Sequence, residues 1–96
     1  MKIRNVLHKG LRRLYEDDSP RGVPAAAAEK LRKQLAFLEG MRKAEELKAL
    51  RLWAAHPLAG ARDGTWSLTV TRNLRLTFRI DAEQDELCDV NLEDYH

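Results

Sequence analysis

The sequence predicts an α+β fold in which an N-terminal helical hairpin packs on one face of a small antiparallel β-sheet. Two patterns along the chain predict it. Apolar residues recur every three to four positions between residues 25 and 53, as in amphipathic helices, and every second position between residues 66 and 92, as in strands with one buried face. The length of 96 residues supports only one core, because a chain this short buries about 60–65% of its unfolded surface. We therefore expect a single domain over residues 1–96.

The first 24 residues predict a short strand, a short helix and a connection. Residues 2–6 alternate polar and apolar side chains, which favours a strand. Leu7, Leu11 and Leu14 follow at helical spacing and indicate one or two helical turns. Residues 19–24 contain two prolines and a glycine, which is typical of a connection between elements.

Two longer helices are predicted next, and together they form the helical hairpin. Pro24 suits the first helical position, because its missing N–H has no helical partner there, and the helix continues over residues 25–39. Gly40 is expected to end it with a left-handed cap. A second helix is expected over residues 42–53, before Pro57 and Gly60 impose an irregular segment. The inward-facing residues of the two helices are expected to be Ala28, Leu31, Leu35 and Leu38, and then Leu47, Leu50 and Trp53.

The second half of the chain predicts three strands, each with one apolar and one polar face. The inward rows are expected to be Trp66, Leu68 and Val70, then Leu74, Leu76, Phe78 and Ile80, and finally Cys88, Val90 and Leu92. Arg75 and Arg79 then lie on the polar face with several threonines, where the sheet can accept a phosphate backbone. An ordinary solvated strand face explains the same pattern.

Charge is unevenly distributed along the chain. Residues 1–80 hold all 17 Lys and Arg residues against 8 acids, whereas residues 81–96 hold 7 acids and no Lys or Arg. A body this basic suits a polyanionic partner, since Lys and Arg contacts to phosphate supply most sequence-independent affinity for nucleic acids. The alternative is an ordinary solvated surface.

The composition argues against several other classes of protein. The single Cys88 excludes an intramolecular disulfide, and no His or Cys pair has the spacing of metal ligands. The longest nearly apolar stretch, residues 23–28, is too short to cross a bilayer, and no signal-like segment follows Met1. We therefore expect a cytoplasmic protein that uses no metal and no small-molecule cofactor.

Polar and aromatic residues near the ends of the predicted strands are the candidates for chemistry. They are His56, Arg62, Arg75, Asp94, Tyr95 and His96. Cleavage of RNA needs no cofactor if one group accepts the proton of the 2′-OH, another protonates the leaving oxygen, and cations stabilise the phosphate. Each candidate also has a purely structural interpretation: residues 94–96 as a frayed terminus, and His56 as a loop-shaping residue before Pro57.

Several motifs resemble, in their order and spacing, the HigB-type toxins of the RelE superfamily, which are also described as plasmid-maintenance killer proteins. The motifs are His8-Lys9-Gly10-Leu11, Gly22-Val23-Pro24, His56-Pro57-Leu58 followed by Gly60, Gly64-Thr65-Trp66-Ser67-Leu68-Thr69-Val70, Asn73-Leu74-Arg75-Leu76-Thr77-Phe78 and Glu93-Asp94-Tyr95-His96. The match spans nearly the whole chain. It implies a RelE-like fold.

The resemblance also implies an activity: a ribosome-dependent messenger RNA endoribonuclease, or mRNA interferase, that cleaves by metal-independent attack of the 2′-OH. It implies catalytic or RNA-contacting roles for His56, Arg75, Asp94, Tyr95 and His96. We further expect the following basic residues to contact RNA or the ribosome: Lys2, Arg4, Lys9, Arg12, Arg13, Arg62 and Arg79. This chain has Ala59 where the family commonly has a lysine after His-Pro-Leu, so either Arg62 or another basic residue substitutes or activity is reduced.

The resemblance further implies an antitoxin partner, a small HigA-like helix-turn-helix protein, alongside the ribosome and messenger RNA. Two other functions fit the same sequence. One is a noncatalytic basic module that binds ribosomal RNA, and the other is a protein-interaction domain whose basic patches bind an acidic partner. Only the enzyme predicts RNA fragments that end in a 2′,3′-cyclic phosphate.

Overall fold

A five-stranded mixed sheet forms the centre of the protein, whose computed structural model describes residues 1–95. The strands are β1 (Lys2–Ile3), β2 (His56–Pro57), β3 (Thr65–Thr69), β4 (Leu74–Asp81) and β5 (Glu86–Asp94). Their order across the sheet is β1-β5-β4-β3-β2. The helices are α1 (Lys9–Asp17), α2 (Ala25–Gly40) and the single turn α3 (Glu45–Lys48). Within residues 1–95 no helix has the length and apolar character needed to cross a membrane.

One continuous core joins the helices to the sheet. Leu31 and Leu38 of α2 are fully buried, as are Leu76 and Phe78 of β4. Gln34 is a buried polar residue of α2, and its side-chain amide donates a hydrogen bond of 2.9 Å to the carbonyl of Thr69 in β3. This bond fixes the helix against the sheet, because a buried N–H donor without a partner is costly.

A contact between two glycines packs α1 against the short 3-10 turn Pro20–Gly22. A Cβ atom on Gly10 would lie 1.9 Å from the carbonyl oxygen of Gly22, so only glycine fits at this position. The start of α1 is capped by His8, whose ring Nδ1 accepts a hydrogen bond from the N–H of Leu11 at 3.0 Å. These contacts bring α1 beside α2.

The helical predictions are confirmed for the first long helix and wrong for the second. The helix predicted over residues 25–39 is α2, although its C-cap at Met41 is extended, with φ −67° and ψ 138°, so the expected left-handed cap at Gly40 is absent. The helix predicted over residues 42–53 is only the turn α3. The Glu46 carboxylate starts that turn by accepting hydrogen bonds from the N–H groups of Arg42 and Lys43. The chain then turns at Ala54, where φ is 49°.

The α+β fold class is confirmed, but the sheet is not purely antiparallel. β1 pairs in parallel with β5, matching Lys2 with Glu86 and Ile3 with Leu87, while the other three pairings are antiparallel. The first strand therefore reaches the edge of the sheet beside the last one. This position is set by the long-range pairing, which alternation along residues 2–6 does not encode.

A bulge in β5 makes the expected burial of Cys88 wrong. The register of β4 and β5 shifts between Thr77 and Arg79, and Asp89 has φ 53°. An extra residue in one strand reverses the facing of the residues beyond it. Leu87 and Val90 are therefore both buried, whereas Cys88 pairs with Arg79 and is only half-buried.

Candidate functional site

The face of the sheet away from the helices carries two rows of directly paired polar residues. The first row runs across β2 to β5 as His56, Ser67, Thr77 and Asn91, and the second runs across β3 to β5 as Thr69, Arg75 and Glu93. Directly opposed residues in antiparallel strands project from the same face. The register therefore places the side chains of His56 and Arg75 on one surface.

His56 is exposed at the edge of this surface. Its ring Nδ1 lies 2.8 Å from the carbonyl oxygen of Ala54. A carbonyl only accepts hydrogen bonds, so Nδ1 carries the proton and donates. In the neutral ring Nε2 is then left as a proton acceptor, which is the form that a general base requires.

Arg75 and Tyr95 form a second group, beside the turn between β3 and β4. The guanidinium carbon of Arg75 lies 5.4 Å from the centroid of the Tyr95 ring. One terminal nitrogen of Arg75 donates hydrogen bonds to the carbonyls of Thr71, at 2.8 Å, and Leu74, at 3.0 Å. The N–H of Tyr95 donates to the carbonyl of Asn73 at 2.6 Å. Tyr95 and the side chain of Arg75 are thus both held at this turn.

An ion pair between Arg62 and Glu93 joins the loop before β3 to β5. Arg62 ends the 3-10 turn Gly60–Arg62, and its two terminal nitrogens lie 2.8 and 2.5 Å from the two carboxylate oxygens of Glu93. The buried Thr77 hydroxyl also donates a hydrogen bond to this carboxylate. The Arg62 guanidinium, assisted by Thr77, lowers the pKa of Glu93. This geometry is the bidentate arrangement that fixes an arginine most firmly.

A cavity of about 210 Å³ lies next to this ion pair. Its lining residues are Leu7, Arg62, Thr65, Thr77, Arg79, Asp89, Asn91 and Glu93. Arg79 approaches the Thr65 hydroxyl at 3.4 Å, the upper range of a hydrogen bond. Two arginines and two acids therefore face this cavity. Their charges balance, and the cavity is lined by several groups that can donate or accept hydrogen bonds.

The basic residues near the start of the chain fall into two groups. Arg4 is ion-paired with Asp81 and, at 2.8 Å, with Glu86, and the Asp81 carboxylate is the larger cause of its raised pKa. Lys2 lies 3.9 Å from Glu86 and is mostly exposed. Exposed positions on α1 are occupied by Lys9, Arg12 and Arg13. Arg4 is thus committed to acids on β4 and β5, whereas the α1 residues present their charges to solvent.

The structure brings together some of the sequence-predicted site residues and separates others. Arg75 and Tyr95 are in contact, and Arg62 and Arg79 line one cavity on the same face. Asp94 pairs with Leu74, which places it on the opposite face from its neighbour Glu93. His96 lies outside the described residues.

Sequence reasoning missed the roles of Glu93 and Thr77 in organising this face. Glu93 stood in the polar row of the predicted last strand, so alternation alone indicated its face. Its ion pair with Arg62, however, joins residues 31 positions apart. No local pattern signals a contact of that separation.

The fold defines a class, the RelE/YoeB-like fold. The fold is similar to that of a YoeB/ParE toxin from Agrobacterium tumefaciens, with a TM-score of 0.63 and 20% identity over 100% of this chain and 99% of that one. It is also similar to a chain of the toxin–antitoxin complex RelBE2 from Mycobacterium tuberculosis, with a TM-score of 0.51 and 22% identity over 99% and 96% of the two chains.

Within that class the sequence itself gives the family. Residues 4–96 match the model of the HigB-like toxins, described as the RelE-like toxin of the type II toxin–antitoxin system HigB. The chain is also 35% identical to the endoribonuclease HigB of Proteus vulgaris over 94 residues, which cover 98% of this chain and 99% of that relative. The protein therefore belongs to the HigB-like toxin family.

Proposed function

We propose that this protein is the toxin of a type II toxin–antitoxin pair and acts as a ribosome-dependent messenger RNA endoribonuclease that inhibits translation and growth. Its similarity to the endoribonuclease HigB of Proteus vulgaris supports the reaction class. The structural observation that carries the proposal is the Arg75–Tyr95 pair on a polar sheet face that also bears His56. On one surface, a cation can stabilise a phosphate, an aromatic ring can stack on a base and a proton acceptor can take the 2′-OH proton.

The proposed reaction uses the 2′-OH of the message as nucleophile. The 2′-oxygen attacks the adjacent phosphorus, the bond to the 5′-oxygen breaks, and the products carry a 2′,3′-cyclic phosphate and a 5′-OH. His56 or His96 accepts the 2′-OH proton, and the other protonates the leaving oxygen. Arg75 stabilises the charge on the phosphate, Tyr95 stacks on a base, and Asp94 orients the chain end. Arg62 provides the positive charge that the family's lysine would supply at position 59, where this chain has Ala59.

The partners follow from the same proposal. Lys2, Lys9, Arg12 and Arg13 contact ribosomal RNA from the α1 side, and Arg79 contacts the message. Arg4 contributes only where its ion pairs with Asp81 and Glu86 leave donors available. A HigA-like helix-turn-helix antitoxin neutralises the toxin, and both act in the cytoplasm. One chain of the toxin–antitoxin complex RelBE2 has a similar fold, which supports an antitoxin partner for this protein.

The test is cleavage of a message on purified bacterial ribosomes, with the new ends analysed chemically. Wild type should produce 2′,3′-cyclic phosphate ends with and without EDTA, provided that the ribosomes stay intact. Arg75→Ala should bind the ribosome and cleave little. Binding without any cleavage by wild type would instead favour the noncatalytic ribosomal RNA-binding module, and restoration of cleavage by added metal alone would overturn the metal-independent mechanism.

A further inference from the structure

Glu93 is held more firmly than an exposed acid on a strand normally is. Both of its carboxylate oxygens are bonded to the Arg62 guanidinium, and one also accepts a hydrogen bond from the buried Thr77 hydroxyl. Its side chain is only 23% exposed. Three bonds from two elements fix the carboxylate, and through it they fix the arginine.

The ion pair places Arg62 beside the residues proposed to contact RNA. Glu93 is the direct cross-strand partner of Arg75. Both terminal nitrogens of Arg62 contact the Glu93 carboxylate, and Arg62 lines one cavity on this face together with Arg79. A long side chain from a loop thus ends at the centre of the polar face, where a free arginine would sample many rotamers.

We propose that Glu93 is a positioning residue that fixes Arg62 as a contact for an RNA phosphate, an inference that rests on the proposed function. The carboxylate occupies one edge of the guanidinium fork. The remaining N–H donors of Arg62, whose side chain is 43% exposed, are available to a phosphate oxygen. The ion pair therefore persists when RNA binds.

This role makes a prediction opposite in sign to simple electrostatics. Removing an acid beside bound RNA ordinarily strengthens binding, because it removes repulsion of phosphates. If Glu93 positions Arg62, its removal weakens binding instead. The loss should equal that of removing Arg62, and the two losses should not add.

The experiment measures affinity for bacterial ribosomes carrying a message with a 2′-deoxy nucleotide at the cleavage point, which binds without being cut. The variants are Arg62→Ala, Glu93→Ala, Glu93→Gln and the double alanine variant, each checked for folding by circular dichroism. Glu83→Ala, which removes an exposed acid from the turn between β4 and β5, is the matched control. Affinities are measured over a salt series.

We expect Arg62→Ala, Glu93→Ala and the double variant to bind about tenfold more weakly than wild type, as for one charged hydrogen bond lost. Glu93→Gln should fall between wild type and Glu93→Ala. Each of the three should also lower the slope of log affinity against log salt by about 0.7, the value for one phosphate of a single strand. Glu83→Ala should bind at least as tightly as wild type.

Tighter binding by Glu93→Ala, an unchanged salt slope, or additive losses in the double variant would overturn the positioning role while wild type still binds and cleaves. Wild type that neither binds nor cleaves would overturn the proposed function and this inference together. If Glu93→Ala fails to fold, the affinity of Glu93→Gln decides the question: weaker binding than wild type supports the positioning role, and tighter binding overturns it.

Discussion

The guanidinium of Arg75 lies over the ring of Tyr95, 5.4 Å from its centroid, and the turn that precedes Arg75 accepts a hydrogen bond from the N–H of Tyr95. The contact is a cation–π interaction, and it leaves the tyrosine 40% exposed. The pair therefore presents a charge and an aromatic surface side by side. Single-stranded RNA offers the matching groups, a phosphate and a base.

We predict that Arg75→Ala lowers the cleavage rate by about 10²–10³, because it removes a preorganised donor to the phosphate. Tyr95→Ala should lose roughly tenfold or more through lost base stacking, whereas Tyr95→Phe should retain most of the activity. The measurement is single-turnover cleavage of ribosome-bound message. Arg72→Ala removes an exposed arginine from the same turn, and an equal loss in that variant would show that local positive charge alone is needed.

We predict that deletion of His96 nearly abolishes cleavage and growth inhibition, with a loss of about 10²–10⁴ for proton transfer by a positioned side chain. Folding, followed by circular dichroism, should not change, because one terminal residue contributes little to a core. His56→Gln is the companion variant, and the pH profiles of the two variants should differ if the histidines divide the acid and base roles. Full activity without His96 would remove the chain end from the mechanism.

We predict a change in acid stability for Glu93→Gln. The Arg62 guanidinium holds the pKa of Glu93 below its ordinary value of 4.5 in the folded protein. A group with a lowered folded pKa stabilises the fold above the unfolded pKa, and this contribution is lost as the pH falls through the folded pKa. Denaturant unfolding between pH 7 and pH 3 should therefore show a smaller acid loss for Glu93→Gln than for wild type, with Glu83→Gln resembling wild type.

We predict that Gly10→Ala destabilises the protein by about 1–3 kcal/mol, as overpacking typically does. The added Cβ would lie 1.9 Å from the carbonyl oxygen of Gly22, so α1 has to move. Gly40→Ala is the matched control, since its added Cβ would meet no atom within 4 Å beyond its chain neighbours and its own helix backbone, and α2 ends there. Thermal unfolding should show a clear loss for the first variant, and equal melting temperatures would refute the packing argument.

The positions of side chains in the sheet and helices show what residue patterns predict correctly and what they miss. Alternation placed Arg75 and Arg79 on one face and the buried leucines on the other, because a strand has a period of two. The same rule misplaced Cys88, because the bulge at Asp89 adds a residue to β5 and shifts the period. Apolar spacing similarly predicted α2, but it predicted a helix over residues 42–53 where the structure has only the turn α3. Spacing contains no information about the hydrogen bonds to the Glu46 carboxylate or about the turn at Ala54.

The sequence by itself determined the fold class, the family and which face of β4 is polar, since these depend on local periodicity and on motifs in a fixed order. Tertiary structure decided which of those residues are neighbours. The parallel pairing of β1 with β5, the Arg4 ion pairs and the Arg62–Glu93 pair all join distant parts of the chain. The physical reason is register: alternation fixes the face on which a side chain lies, whereas only the pairing of strands fixes what lies across from it.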